Sequence, residues 1–251
     1  MVSTTGLNLD IDLRGGTQIS FESDSPLDEQ NIENILSQFD ANVRIARGIS
    51  IYTALIEVSS DVNSDEVIDV LKNNGYSADF SVSSITPSLG ESFFQQAQLI
   101  LAFAFLFMAI TVFIIFRVGL PSFYVVLASF ADIVETLAIS QFLGIKLSLA
   151  TFAALLLLIG YSVDTDILLT SRVLRTAEGD IKSKIKGAMK TGLTMIGATA
   201  AALLALFVIS ASSVITQIAS VLLIGLVLDV FNTWVTNANL LRWYVERRKN
   251  D

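Results

Sequence analysis

Hydrophobic and polar positions alternate with two different periods along residues 1–92 of the chain. Residues 7–22 show the period of two that is typical of a strand, interrupted by a glycine pair at 15–16. Apolar side chains recur at helical spacing over residues 26–39 and 64–75. Further strand patterns occupy residues 43–46, 49–58 and 77–85. The pattern predicts the order βαββαβ, the ferredoxin-like split unit, for a head of residues 1–92.

Residues 93–251 follow a different pattern, in which long apolar stretches are separated by short breaks. A helix that crosses a bilayer needs about 20 mostly apolar residues. Five stretches meet this requirement, at residues 97–116, 122–143, 147–169, 191–209 and 214–241. We therefore expect an α+β head followed by an all-α polytopic membrane domain with five visible transmembrane helices.

Basic residues are concentrated in alternate loops of the predicted membrane domain. They lie between the first two spans, between the third and fourth, and in the C-terminal tail, whereas the other loops offer only Lys146. By the positive-inside rule, the basic loops and the tail are cytoplasmic and the head lies outside. An external head requires an earlier segment to carry it across, so we expect a further N-terminal helix that this sequence does not show.

Composition narrows the chemistry that the chain can perform. It has no cysteine and no histidine, and its formal net charge is −8. Thiol chemistry, imidazole metal ligands and histidine-based catalysis are therefore excluded, and an acidic chain is a poor partner for nucleic acid. Asp10, Asp12 and Arg14 alternate with apolar residues, which indicates a solvated strand face rather than a cation site. We expect no enzyme activity, no cofactor and no metal.

Carboxylates interrupt the predicted spans. Asp164 and Asp166 follow the apolar run 149–159, Asp132 and Glu135 lie three apart on the second span, and Asp229 lies on the fifth. An ionisable group inside hydrocarbon costs at least ~2.5–3.5 kcal/mol, so it usually faces a partner or a wet cavity. Acids that are protonated part of the time provide a proton path; hydrogen-bonded helix clamps are the alternative.

The two neighbouring acids of the third span differ in their expected roles. Residues two apart point in different directions from a helix, so Asp164 and Asp166 cannot both face one partner. Water at the cytoplasmic helix end is the alternative surrounding for both. Lys190 and Thr191–Thr194 begin the fourth span and offer a cation and hydroxyls to the acids. The small residues that follow favour close helix packing.

Two motifs resemble the SecD/SecF family of protein-export membrane components, part of the RND superfamily. Residues 6–17 are similar to the signature that opens the family's first periplasmic-type domain, through Asp12, Arg14, Gly15, Gly16 and Thr17. Residues 160–172 resemble the family's fourth-helix motif, which begins here with Gly160, Tyr161 and Ser162. The small head and the Gly-Tyr-Ser phrase favour the SecF side, of archaeal type.

The resemblance implies an RND half-type membrane domain and a set of partners. These are a SecD-like subunit, the Sec translocation channel, exported polypeptides and the lipid bilayer of the cell membrane. Family members use the proton-motive force to pull or release exported protein on the outer side. The chain is therefore expected to be an accessory subunit of export rather than an enzyme.

Individual roles are also implied by position in the family motifs. Asp164 matches the family's proton-carrying Asp, Asp132 matches its helix-three acid, and Lys190 falls where bacterial SecF has a basic residue. Bacterial SecF carries its key Asp one position later, at the place of Thr165, so Asp164 fits the SecD phase. Asp166 is left as a packing or interfacial residue. Two alternatives stay open, namely an RND-type proton-coupled small-molecule transporter half and a purely structural partner of SecD.

Overall fold

The structure is a computed structural model in which residues 6–47, 51–76, 78–175, 180–210 and 212–250 are described. The head consists of α1 (Ile11–Arg14), β1 (Gly16–Ser23), α2 (Glu29–Ile35), β2 (Asn42–Arg47), β3 (Tyr52–Val58), α3 (Ser64–Asn73) and β4 (Phe80–Ile85). The strands pair antiparallel in the order β2-β3-β1-β4. The predicted ferredoxin-like βαββαβ head is confirmed. The predicted strand starts at 49 and 77 lie outside the described residues.

One face of this sheet is covered by α2 and α3. Ile19 on β1, Ile56 on β3, Ile32 on α2 and Leu71 on α3 are fully buried in a single apolar core. Burying one such side chain stabilises a fold by about 1.5–3 kcal/mol. The period-two pattern of the strands and the helical spacing of α2 and α3 therefore meet in this core.

The prediction that residues 7–22 form a strand with a bend or bulge, or two short strands, is wrong for residues 11–14. Residues 11–14 form the short helix α1, which Asp10 caps by accepting a hydrogen bond from the Ile11 N–H at 2.7 Å. Gly15 ends this turn with φ of 81°, a left-handed conformation that favours glycine. Asp10, Asp12 and Arg14 consequently do not share a solvated strand face, because both acids are half-buried.

Long helices make up the rest of the chain. They are α4 (Pro87–Phe116), α5 (Gly119–Phe142), α6 (Leu149–Arg175), α7 (Ile181–Ile209), α8 (Ser213–Phe231) and α9 (Ala238–Asn250). A π-helical segment, Asn232–Asn237, joins α8 to α9, and we call the continuous helix Ser213–Arg248 the fifth span. Five helices in the described residues are long and apolar enough to cross a membrane. The predicted five-span membrane domain is confirmed, with α4 and α7 beginning earlier than expected.

The chain divides into two compact units. The first unit gathers the residues up to 98 together with 145–151 and 205–217, and the second contains 99–144, 152–204 and the residues from 218 onward. The first unit therefore holds the head, the loop before α6 and the loop before α8. The second unit holds most of the apolar helices.

Candidate functional site

Buried polar side chains from three helices meet in the second unit. We call this set the interior polar cluster; it consists of Asp132, Ser162, Thr165, Asp166, Asp229, Asn232, Thr233 and Asn237. α5 supplies the first residue, α6 the next three and the fifth span the remainder. Each of these side chains is buried. Polar groups so placed need hydrogen-bond partners, because hydrocarbon offers none.

Asp132 forms one end of the cluster. The Ser162 hydroxyl donates to Asp132 Oδ2 at 2.5 Å, and the Asn232 amide donates to Asp132 Oδ1 at 2.8 Å. The same amide lies 3.0 Å from Glu135 Oε2, at the edge of the cluster. Ser129, one helical turn before Asp132, lies 3.3 Å from the Ser162 hydroxyl. A single carboxylate thus ties α5 to α6 and to the fifth span.

Asp166 and Asp229 form the other end of the cluster. The Thr233 hydroxyl lies 3.0 Å from Asp166 Oδ1 and 3.0 Å from Asp229 Oδ1. The Asn237 amide donates to Asp166 Oδ1 at 2.6 Å. Thr165 Oγ1 lies 3.1 Å from Asp229 Oδ2. The two carboxylates are therefore linked through one shared hydroxyl group.

The π-helical segment supplies Asn232, Thr233 and Asn237 to the cluster. All three side chains are buried, whereas Val235 and Thr236 between them are exposed. A π-helical turn contains an extra residue and often occurs at functional sites. Here it places amide and hydroxyl groups opposite the acids of α5 and α6.

The cluster contains carboxylates without matching cations. In the described part of the chain, these three acids bond to hydroxyl and amide groups, and the Asp229 carboxyl is also within hydrogen-bonding reach of Asp132. None of the ion pairs of the described residues involves them. Two buried oxygens of the cluster, Asp166 Oδ2 and Asn237 Oδ1, have no hydrogen-bond partner there. The cluster therefore has an excess of acceptors over donors.

The structure brings some predicted residues together and leaves others apart. Asp132, Asp166 and Asp229 lie in the cluster and Glu135 at its edge, whereas Asp164 is exposed on the surface of α6. The sequence favoured Asp164 over Asp166 as the proton site, whereas the side chains of α6 that point to the interior are those of Ser162, Thr165 and Asp166. Gly160 and Tyr161 share the exposed side.

Lys190 does not approach the acids in the expected way. Its side chain is exposed, and its backbone carbonyl accepts a hydrogen bond from the Thr194 hydroxyl at 2.8 Å. The Thr191 hydroxyl likewise bonds to the Gly187 carbonyl of its own helix at 3.3 Å. Hydroxyls that bond within their own helix are not offered to a neighbouring carboxylate. The fourth span therefore gives the cluster neither the cation nor the hydroxyls predicted.

The signature residues of the head lie in the first unit and make close backbone contacts. A Cβ on Gly15 would lie 2.6 Å from Pro87 Cα, and a Cβ on Gly90 would lie 2.7 Å from the Gly15 nitrogen. Gly16 has φ of 141° and begins β1. Thr17 is buried, with its hydroxyl 3.0 Å from that of Ser84. The glycines allow α1 to pack directly on the start of α4.

Sequence reasoning missed a second charged cluster in the first unit, centred on Glu57. Its Oε2 accepts hydrogen bonds from Arg14 Nη2 at 3.0 Å and from Lys146 Nζ at 2.6 Å, and its Oε1 accepts one from Arg44 Nη2 at 2.6 Å. Asp10 Oδ2 lies 3.8 Å from the same Arg44 nitrogen. Glu57 is only 2% exposed. We call Glu57, Arg14, Arg44, Lys146 and Asp10 the Glu57 ion cluster.

Charges in this cluster set the protonation of its acids. Burial alone would raise the pKa of Glu57, but the hydrogen bonds and charges of Lys146 and Arg44 outweigh burial and lower it. Burial and the neighbouring charge of Glu57 raise the pKa of Asp10. Glu57 therefore stays ionised at neutral pH. Its stabilising contribution is fully present above the ordinary Glu value of about 4.3 and is lost as the pH falls through its lower folded value.

The fold and the site define a polytopic membrane protein with a ferredoxin-like head, five apolar helices and interior acids. The family described as "Protein export membrane protein SecD/SecF, C-terminal" matches residues 51–247. The protein-export membrane protein SecF of Methanothermobacter thermautotrophicus is 39% identical over 99% of this chain and 88% of its own length. SecF of Pyrococcus furiosus is 37% identical over 95% of this chain and 81% of its own length.

Solved structures show the same fold. The crystal structure of SecDF from Thermus thermophilus, described as a translocon-associated membrane protein, matches 96% of this chain with a TM-score of 0.79 at 18% identity. The present chain spans only 35% of that SecDF chain. A heavy metal efflux pump matches 84% of the chain with a TM-score of 0.53 at 13% identity. These two likenesses concern the fold alone.

The chain belongs to the SecD/SecF family of protein-export membrane proteins, on its SecF side. It is accordingly a membrane subunit of protein export. The relatives named above are described as export membrane proteins and not as enzymes.

Proposed function

We propose that this chain is an accessory subunit of the Sec export machinery that works with a SecD-like subunit beside the translocation channel. Proton movement through its interior polar cluster drives the translocation or release of exported polypeptides. The observation that carries this proposal is the set of three buried carboxylates, Asp132, Asp166 and Asp229, which bond to hydroxyls and amides and form no ion pair among the described residues.

A count of donors supports protonation within the cluster. A threonine hydroxyl donates one hydrogen bond, yet Thr233 Oγ1 lies 3.0 Å from acceptors on both Asp166 and Asp229. Thr165 Oγ1 lies 2.8 Å from the Ser162 carbonyl and 3.1 Å from Asp229 Oδ2. These hydroxyls cannot serve all of the acceptors at once. A proton on Asp166 or Asp229 supplies the missing donor, and its loss leaves an acceptor unpaired.

Gain and loss of this proton change how the helices hold together. With the proton present, the chain of hydrogen bonds between α6 and the fifth span is complete. Without it, two carboxylates share one hydroxyl and repel each other. The arrangement therefore has two states with different helix–helix energies, which is what a proton-driven subunit requires.

The exposed side of α6 supports a membrane partner. Asp164 lies on this side with Gly160 and Tyr161, within a helix that is long and apolar enough to span the bilayer. A carboxylate facing lipid is costly, so a protein surface that offers a donor is its expected neighbour. Gly160 allows another helix to approach closely. We assign this surface to a SecD-like subunit.

The proposed orientation places the head outside the cell membrane and the C-terminus in the cytoplasm. The first unit gathers the head with the loops before α6 and α8. Those loops have few basic residues, and the charge of Lys146 is already paired with Glu57 at 2.6 Å. The other basic residues of the membrane domain lie toward the opposite loops, which the positive-inside rule assigns to the cytoplasmic side.

Substitution of the two acids of α6 tests the proposal. Asp166→Asn keeps a similar shape but removes the exchangeable proton, so export should fall to the level seen when the proton gradient is collapsed. Asp164→Asn is the matched variant, on the same helix but outside the cluster. It should weaken co-purification with the SecD-like subunit while the assembled complex keeps its proton dependence.

Export and co-purification are measured in cells that carry each variant. Proton-dependent export that survives Asp166→Asn contradicts the proton-path proposal. If Asp166→Asn disrupts assembly but the assembled fraction exports normally, the chain is a structural partner of SecD instead.

A further inference from the structure

The Glu57 ion cluster joins the head to the residues that lead into α6. Lys146, which donates to Glu57 at 2.6 Å, precedes the first residue of α6 by only a short segment. Its ammonium also donates to Asn42 Oδ1 at 2.9 Å on the edge strand β2. Two strands of the head therefore hold one side chain of the loop. This contact lies wholly within the first unit.

Backbone contacts reinforce this junction. The Asp10 N–H donates to the Leu147 carbonyl at 2.8 Å, and the Leu147 N–H donates to the Asn8 carbonyl at 2.7 Å. These bonds form an isolated parallel bridge between Leu9 and Leu147. The Asp12 carboxylate accepts a hydrogen bond from the N–H of Leu149, the first residue of α6. A carboxylate at this position caps the helix and complements its dipole.

The same helix carries part of the interior polar cluster. α6 runs without a break from Leu149 to Arg175, and Ser162, Thr165 and Asp166 lie on it. A continuous helix transmits a displacement along its axis. The part of the head that holds Leu147 and Leu149 is therefore attached to the helix whose hydrogen bonds change with the proton.

We propose that Glu57 is a positioning residue that fixes the head to the N-terminal end of α6, so that displacement of α6 is passed to the head. This inference rests on the proposed function, because it needs a proton-dependent displacement of α6. Glu57 does not touch the proton path itself. Its role is to keep Arg14, Arg44 and Lys146 in one register around a single buried carboxylate.

Ion pairs around Glu57 suit a junction that holds the loop before α6 in one position relative to the head. Apolar contacts tolerate sliding, whereas a buried carboxylate shared by several cations is satisfied in one arrangement only. Glu57 is 2% exposed, so solvent cannot replace a lost partner. The loop and the head are thereby held in a single relative position within the first unit.

A double-substitution cycle on the full chain in lipid bilayers tests the inference. Asp166→Asn imitates the protonated acid at constant pH, and amide hydrogen exchange is measured in α6 and in strands β1 and β3. With Glu57 present, Asp166→Asn should change exchange in both regions, by at least about threefold in the strands. With Glu57→Gln, the change in α6 should remain and the change in the strands should disappear.

Each outcome has a separate meaning. Unchanged exchange everywhere after Asp166→Asn overturns the proposed function. A change confined to α6 when Glu57 is present overturns the inference about Glu57 alone, as does a strand response that survives Glu57→Gln. Glu66→Gln, at an exposed acid of α3, is the matched control and should leave the cycle unaltered.

A reversible lock provides a second test that does not depend on Glu57→Gln folding well. Lys146→Gln weakens the junction, and Leu9→Cys with Leu147→Cys replaces it by a disulfide between bridge partners. The chain has no other cysteine. The strand response to Asp166→Asn should be lost in the reduced protein and recovered on oxidation. If oxidation does not recover it, the junction does not carry the displacement.

Discussion

At the scale of a single residue, the backbone conformation and surroundings of Gly15 explain why the signature motif has a glycine at this position. Its φ of 81° and ψ of 163° fall in a region that is essentially restricted to glycine. Its Cα also lies so close to Pro87 that a Cβ would be 2.6 Å from two backbone atoms. Gly15 of the signature motif therefore serves backbone packing between α1 and α4.

Replacement of this glycine should destabilise the head. We expect Gly15→Ala to lower the free energy of unfolding by more than about 2 kcal/mol, because strain and a backbone clash add. Gly75→Ala is the matched control, since Gly75 has φ of 93° but no atom within 4 Å of an added Cβ. Its cost should be about 1 kcal/mol. Thermal unfolding of the purified proteins measures both, and equal costs would contradict the packing role of Gly15.

Single residues also show where sequence reasoning reached its limit. Glu57 and Lys146 are 89 positions apart, so no local pattern joins them. Residues 7–13 alternate by two, and this period outweighed two opposing signals, the capping Asp10 and the left-handed Gly15. The resemblance selects the signature residues by position, but only the structure shows that Asp12 bonds to the first residue of α6 and that Gly15 packs against the start of α4.

At the scale of elements, the spans were predictable and their rotation was not. Length and hydropathy define five spans, and the order of strands and helices defines the head. Rotation of a membrane helix leaves no such signal, because lipid is as apolar as the protein interior. Leucines surround α6 on both sides, so nothing in the pattern distinguishes the direction of Asp164 from that of Asp166.

The π-helical segment was not predictable for a related reason. Its sequence, Asn232–Asn237, is mostly polar within an apolar helix, which indicates function but not geometry. The extra residue changes the angle around the helix between Asp229 and Asn237. Asn237 thereby bonds to Asp166, and Asp229 bonds to Thr233, which in turn bonds to Asp166. The helical geometry of the fifth span and the hydrogen bonding of the acids are therefore coupled.

Removal of one residue from this segment tests that coupling. Deletion of the exposed Val235 should restore regular helix and bring Thr233 and Asn237 from four to three positions apart. Residues three apart in an α-helix of 3.6 residues per turn point about 60° apart, so the two side chains should no longer both bond to Asp166. Export should then fall to the level of the Asp166→Asn variant. Val235→Ala keeps the length of the segment and should export normally. Normal export after the deletion would show that the π-helical geometry is dispensable.

At the scale of the whole molecule, the distribution of charge is tied to the direction in which α6 crosses the membrane. The head lies in one unit with the loops before α6 and α8, and the Glu57 ion cluster absorbs the charge of Lys146. The end of α6 and the start of α7 carry exposed basic residues, including Arg172 and Lys182. In the proposed orientation, a proton that enters from outside meets the head side of α6 first.

Single cysteines test this orientation directly, because the chain has none of its own. Ser81→Cys on the exposed strand β4 should react with a membrane-impermeant maleimide in intact cells. Ser183→Cys near the start of α7 is also exposed in this chain, but it should react only after the membrane is opened. Equal accessibility of the two sites in detergent serves as the control. Labelling of Ser183→Cys alone in intact cells would invert the orientation, and an inward-moving proton would then reach Asp166 from the end of α6 opposite the head.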